Sequence, residues 1–586
     1  MTKKIFPFAF SCLLLAANSW QLEAQQPPAA QEKLTVRQQS ATNSSPLTVR
    51  QQPTANDLSA ANGQPAASDQ PAANRSQPTT RQQPVTNSSQ LPAPEYWQQE
   101  VHYDIRVTLN DNDHTLRGFE TIRYINHSPD TLTFLYIHCW PNAYKDQTTA
   151  LYQQLSQIEE RRGKLKKIKE NGYIDHLAFR VNDIQATTEP HPQYSDILKL
   201  ILPDKILPGA AITITTPFFV KIPSYFSRLG HEGKSYMITQ WYPKPAVYDS
   251  KGWHEMPYLD QGEFYSEYGS FDVHITLPAA YIVAATGQLQ TKEELEAYRS
   301  TTHYHPKDPS TPKTLDYHAE NVHDFAWFAD RNLLINYDTL QLPSGKIIDV
   351  FSWYRPNGNK EWTHGISYIK DAVLHYSKWI GEYDYPIVNA LEGPGNTSSG
   401  GMEYPMITLI TSPKAGREDL DGVIAHEVGH NWFYGMLGSN ERQHPWMDEG
   451  INTFYEFRYE AEKYRSNTLL GSMIPERLQR LNTDDFLDAV YDMLNQLKTT
   501  EPIESPATAF PSEFDYGLVV YARTAVWMHI IEKTIGKDNF EKGMKIYFSR
   551  WKFRHPYPED LKACLEQSTH SSLDRLFDLL NKTGML

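Results

Sequence analysis

The run His426-Glu427-Val428-Gly429-His430 constrains the fold more than any other part of the chain. Residues four apart lie on one face of a helix, so the two imidazoles converge only if this run is helical. Apolar residues Val423-Ile424-Ala425 precede it and Trp432-Phe433-Tyr434 follow, which puts the helix inside the fold. Eighteen residues, Asn431 to Asp448, separate His430 from Glu449 in Trp446-Met447-Asp448-Glu449-Gly450. A second helix opening at Glu449 and packed antiparallel to the first brings a carboxylate to the two histidines.

Two imidazoles and one carboxylate suit zinc, and three protein ligands leave a fourth position for water. One Zn2+ per chain is expected on His426, His430 and Glu449. The five-residue pattern alone is moderate evidence in a chain with 21 histidines, and its plain alternative is a solvated helix face that binds nothing. The third donor removes that alternative. Zinc lowers the pKa of its bound water toward about 7, and Glu427, beside the metal without ligating it, is the expected general base. This ligand set is that of the thermolysin-like zinc peptidases.

Around this site the patterning changes along the chain. From Tyr96 to about Ser352 it alternates as half-buried strands do, in Val101 to Leu109, Thr121 to Ile125, Ala211 to Thr215 and Phe271 to Leu277. Spacings of three and four take over in Trp362 to Ile380, Leu420 to Tyr434, Asp448 to Tyr464, Tyr521 to Thr534 and Leu573 to Leu580. The expected fold is α+β. A β-rich saddle or sandwich over 95–352 precedes a mostly helical, thermolysin-like catalytic domain over 353–586.

Before residue 95 no core is expected. Lys3, Lys4 and the apolar run Ile5 to Ala17 read as a secretory signal cleaved near Ala24, too short to span a membrane. Residues 25–94 are rich in Gln, Pro, Ser and Ala and repeat Leu34-Thr35-Val36-Arg37-Gln38-Gln39 at Leu47 to Gln52, the composition of a disordered spacer. An exported protein, periplasmic or extracellular, is expected. Two cysteines after the leader, Cys139 and Cys564, give no disulfide framework. A net charge of -15 argues against a nucleic-acid partner. The basic stretch Arg161 to Lys169 reads as a solvated helix face.

At these residues the chain resembles the gluzincin aminopeptidases, the family of aminopeptidase N and leukotriene hydrolase. The H-E-x-x-H helix with its distant Glu449 carries the resemblance, together with Gly400-Gly401-Met402-Glu403 and the tyrosine helix near Tyr521. The resemblance implies that Gly400, Gly401 and Met402 receive a substrate backbone as an added strand and that Glu403 meets its free ammonium. It implies that Tyr521, opening an apolar helix, donates to the oxyanion, with Tyr516 as rival or pocket neighbour. Gln240 would stand at the rim of the amine pocket. The chain departs from the family pattern at Tyr242, Tyr404 and Asp448, and it ends before a long C-terminal helical domain, so a more open cleft is expected.

The function expected is removal of N-terminal residues from peptides. Competing readings are an endopeptidase or dipeptidyl-type cutter, an epoxide hydrolase, and a silent binding protein. Oligomeric state is open.

Overall fold

The computed structural model describes residues 96–586, apart from 167, 301, 305–310, 395–399, 466, 468–475, 498, 500 and 585. The leader expected at 1–24 and the spacer at 25–94 lie outside the described residues. Strands fill the chain up to Asp330 and helices dominate from Gly365 onward, an α+β arrangement.

The strand Glu100–Asn110 shows why the first part is sheet. Val101, Tyr103, Ile105, Val107 and Leu109 are buried while their neighbours face outward, the period-2 pattern of a pleated strand with one covered face. It pairs antiparallel with Thr115–Ile125 and parallel with Gly269–Pro278. Among the described residues these belong to a nine-stranded sheet that also holds Pro312–Val322 and Ala211–Lys221. Two four-stranded sheets lie beside it in sequence, built around Leu132–His138 with Ile197–Ile206 and around Ser235–Ile238 with Trp327–Asp330.

Among the described residues a five-stranded sheet positions the site. Its spatial order is Leu334–Gln341, Ile347–Tyr354, Ile387–Glu392, Ile407–Ile410, Gly401–Tyr404. The middle three strands are parallel and the outer pairings antiparallel. Ile387–Glu392 is buried along its whole length, as parallel strands covered on both faces are. The helix Gly365–Trp379 makes the crossover and buries Tyr368, Ile369, Ala372, Val373 and Tyr376, one stripe at spacings of three and four. The domain boundary expected at 352/353 falls inside Ile347–Tyr354, a strand of this same sheet. Gly401–Tyr404 is the edge strand.

The helix Arg417–Gly429 packs on this sheet. Glu418 and Asp419 in its first turn face the positive end of its dipole. Periodicity predicts that it runs to Tyr434, but it ends at Gly429. The Gly435 N–H donates to His430 O at 2.8 Å and the Leu437 N–H to Trp432 O at 2.9 Å, so the chain turns back there. Tyr434 takes φ 97° in that turn. The next helix, Glu449–Tyr464, is buried on every side from Glu449 to Glu460 and stops where Arg465 turns left-handed.

The tyrosine helix differs from expectation at its start. Tyr521 does not open it. Ser512 caps the N-terminus by accepting from the Asp515 N–H, and helix continues through Glu513–Tyr516, a wider π-helical stretch Gly517–Arg523 and Thr524–Ile535. Tyr521 sits inside the π-helical stretch, a local distortion often found at functional sites.

The basic stretch is also corrected at its first residue. Arg161 is 2% exposed and pairs with two buried carboxylates, Asp260 and Glu513. A guanidinium loses its water only where such partners replace it, so Arg161 is an interior clamp and not part of a solvated face. Cys139 and Cys564 are buried and unpaired. No helix among the described residues is long and apolar enough to cross a membrane.

Candidate metal centre and active site

His426 lies in the last turn of Arg417–Gly429, and His430 is the residue that closes it. Glu449 is the first residue of the next helix. The two helices pack closely because Gly429 has no side chain. A Cβ there would lie 2.2 Å from Asn452 Oδ1 and 2.5 Å from the Tyr376 ring.

The three side chains converge. His426 Nε2 lies 3.1 Å from His430 Nε2 and 3.2 Å from Glu449 Oε2, and His430 Nε2 lies 3.3 Å from the same oxygen. Ligands about 2.0–2.1 Å from a tetrahedral ion sit roughly 3.3 Å apart, so the triad has the spacing that zinc requires. The far ring nitrogens are fixed as well. His426 Nδ1 faces Glu456 Oε2 at 2.8 Å and His430 Nδ1 faces Asp448 Oδ1 at 2.5 Å. Carboxylates behind the imidazoles hold each Nε2 toward the metal and raise its basicity.

The charges of the centre follow from this crowding. Burial works against protonated imidazoles, yet the Glu456 carboxylate and Glu449 hold His426 up to about 10. Burial alone would raise Glu449, but hydrogen bonds from His426 and His430 keep its carboxyl well below the usual range. A ligand set with that affinity for positive charge fits a divalent cation.

Glu427 is 6% exposed, and its Oε2 has no hydrogen-bond partner. Burial pushes its carboxyl up to about 7, against the pull of both histidines. Gly401 faces it closely: a Cβ there would lie 2.4 Å from Glu427 Cδ. The glycine is therefore a steric necessity of the base as well as part of the edge strand.

Glu403 projects from that strand, buried, with Oε1 unpartnered. Burial, then the neighbouring Glu263, drive its carboxyl well above the usual range. Its Oε lies within 4.8 Å of donor atoms of Glu427 and His430. Met402 is buried beside it and Gly400 stands at the strand's entrance.

The Tyr521 hydroxyl donates to Glu449 Oε1, and its ring stacks near His426 with centroids 6.1 Å apart. Tyr516 lies 6.0 Å from Tyr521, ring to ring, with its buried hydroxyl unpartnered. Both tyrosines thus stand at the triad.

Gln240 does not join the carboxylates. It is 1% exposed at φ 48°. Its amide donates to Asp324 Oδ2 at 3.2 Å, and its Oε1 accepts from the Tyr404 hydroxyl at 3.5 Å. Tyr242 donates to the other oxygen of Asp324 at 3.0 Å. The sequence reading missed Glu456, Glu263 and the supporting role of Asp448. Glu456 was findable, since it lies seven residues after Glu449 on the same helical face; Glu263 sits in a loop with no pattern to announce it.

Residues 374–579 match the peptidase family M1 domain. The chain is 28% identical to leucine aminopeptidase 2 of Coccidioides immitis (strain RS) over 216 residues, 34% of this chain and 32% of the relative. It is 28% identical to a leukotriene A-4 hydrolase homolog of Botryotinia fuckeliana (strain B05.10) over 197 residues, 32% of this chain and 28% of the relative. The chain spans about a third or less of the length of these curated relatives. In fold it resembles the M1 zinc metallopeptidase from Deinococcus radiodurans, with TM-score 0.58 and 15% identity over 83% of this chain and 94% of that one. It also resembles Legionella pneumophila aminopeptidase A, with TM-score 0.57 and 14% identity over 84% of this chain and 50% of that one. Residues 374–579 are thus similar to the peptidase family M1 domain, and the solved structures of like fold include proteins named as M1 zinc metallopeptidases.

Proposed function

We propose that this protein is a zinc-dependent aminopeptidase that releases residues one at a time from the free N-terminus of peptides. The observation that carries the reading is the buried, unpartnered Glu403 oxygen on an edge strand beside the metal triad. A buried carboxylate without a partner is costly, and a substrate ammonium is the partner that makes it affordable.

His426, His430 and Glu449 would hold zinc, which would supply Lewis acidity toward a water molecule and a carbonyl. An extended peptide pairs with the edge strand Gly401–Tyr404, and its first amine stops at Glu403. Glu427 takes the proton of the attacking water and passes it to the leaving amine. Tyr521 donates to the oxygen that gains charge. Asp448 and Glu456 keep the two imidazoles oriented throughout. The protein works outside the cytoplasm, a reading that rests on residues 1–24 and is tested by N-terminal sequencing of the mature chain.

The test is a panel of aminoacyl fluorogenic substrates beside their N-acetylated twins, with a chelator and Glu427→Ala as controls. Turnover of free-amine substrates only, abolished by both controls, is expected. Equal cutting of blocked or internal bonds would leave the zinc chemistry and remove the exopeptidase claim. No metal-dependent hydrolysis would make the chain a binding protein.

A further inference from the structure

Outside the metal triad, two helices bring another set of ligand-type side chains together. Thr483–Leu494 packs against Thr524–Ile535. Asp484 and Asp488 are four apart on the first helix, and His529 and Glu532 are three apart on the second, so each pair shares one helix face. Asp484, His529 and Glu532 each offer a donor atom within 4.8 Å of the others. The His529 side chain is 2% exposed, and its Nδ1 has no hydrogen-bond partner among the described residues. A buried ring nitrogen without a partner is costly, and this one faces two carboxylates.

The two edges of this ring repeat the arrangement of the triad. His529 Nε2 meets Asp488 Oδ1 at 3.2 Å, as Glu456 and Asp448 stand behind His426 and His430. A carboxylate on one ring nitrogen turns the other toward a metal. His529 Nδ1 lies 4.0 Å from Asp484 Oδ1, too far for a hydrogen bond. That separation falls within the roughly 3–4.2 Å between two ligands that are each about 2.1 Å from one ion. The neighbouring cations are committed. Lys533 Nζ donates to both Asp488 oxygens at 2.9 and 2.8 Å. Arg458 donates to Glu532 Oε1 and lies 3.6 Å from Glu541, and the Glu532 carboxylate keeps further lone pairs for another partner.

We propose that Asp484, His529 and Glu532 form a second divalent-metal site, for zinc or a like transition ion, with Asp488 orienting the imidazole. An imidazole among the ligands favours such ions over calcium and magnesium, which take oxygen ligands. None of the residues assigned to hydrolysis belongs to this set. The site is a clip that fastens the helix Thr483–Leu494 to the helix continuing from the π-helical stretch with Tyr521. It stands independently of the aminopeptidase reading.

The experiment counts the zinc bound by the full chain at equilibrium with micromolar free zinc and follows the melting temperature. The wild type is expected to hold roughly two ions per chain, and His529→Gln and Asp484→Asn roughly one each, with turnover within about threefold of the wild type. Asp484 is 74% exposed at its side chain, so its variant tests the site even where His529→Gln fails to fold. A chain carrying His426→Ala and His430→Ala should lose the other ion and still gain about 2 °C or more in melting temperature on addition of zinc. Adding Asp484→Asn to that chain should abolish the gain. A wild type with a single ion that the triad variant loses would overturn the clip and leave the catalytic zinc standing. So would two ions undiminished in Asp484→Asn and in any folded His529→Gln. An ion lost in Asp484→Asn but kept in the triad variant would uphold the clip and remove the zinc from the triad.

Discussion

Two buried polar clusters in this molecule are built on opposite terms. Around Asp324 every charge is answered: Lys244 Nζ lies 3.1 Å away, the Tyr242 hydroxyl 3.0 Å, the Gln240 amide 3.2 Å and the Phe325 N–H 2.8 Å. Around the metal triad, Glu403 Oε1, Glu427 Oε2, Asp448 Oδ2, Glu441 Oε1 and the Tyr516 hydroxyl are buried and unanswered. Both clusters are equally removed from water, so burial does not separate them. The difference is that one is complete by itself, and the other leaves buried acceptors over, which the proposed metal and substrate would answer. Unsatisfied polar groups are costly, and folds keep them where function uses them.

That contrast predicts opposite responses to substitution. Glu427→Gln should lower kcat by about 10²- to 10⁴-fold, the usual range for a general base, while the melting temperature stays level or rises. A fall in both would mean that Glu427 holds the fold together. Asp324→Ala should do the reverse, costing roughly 3–5 kcal/mol because it strands the buried Lys244. Urea unfolding measures that loss, and turnover per folded molecule should change by less than about threefold. A collapse of turnover would place Asp324, through Gln240 and Tyr404, within the site.

The two tyrosines sharpen the comparison inside the site itself. Tyr521→Phe should reduce kcat by about 10²- to 10³-fold, the worth of an oxyanion donor. Tyr516→Phe should cost less than about tenfold on the same scale. The opposite ranking in steady-state kinetics would transfer the role to Tyr516.

The smallest effect lies at the border of the two clusters. His323 faces Tyr434 O through Nε2 at 2.9 Å, and burial pushes its pKa down to about 3. The unfolded chain takes up a proton near about pH 6.5, whereas the folded one refuses it until about pH 3. Stability owed to neutral His323 is therefore complete above pH ~6.5 and lost as pH falls below it, by about 1.4 kcal/mol per unit. His323→Gln should flatten the stability curve between about pH 6.5 and 5 by close to one proton.

The metal triad was legible because helical geometry alone ties His426 to His430, and Glu449 opens the next helix in sequence. The alternation of Val101 to Leu109 likewise gave its strand. Three things were not legible, each for a local reason. Periodicity does not register a π-helical stretch, so it started the tyrosine helix at Tyr521 instead of after Ser512. The helix through His430 was overextended because Trp432, Phe433 and Tyr434 are buried in a turn. Arg161 looked solvated beside other basic residues, while its partners lie 99 and 352 positions away.

The Arg161 clamp also bears on how this protein can be taken apart. It ties Asp260, on the loop that carries Glu263, to Glu513, at the head of the helix that carries Tyr521. Expressing 353–586 alone would strand a buried carboxylate at Glu513 and strip away that loop. Recombination between relatives should therefore exchange residues 161, 260 and 513 as a linked set, and the sheet-rich half is not an interchangeable module but a scaffold inherited together with the chemistry.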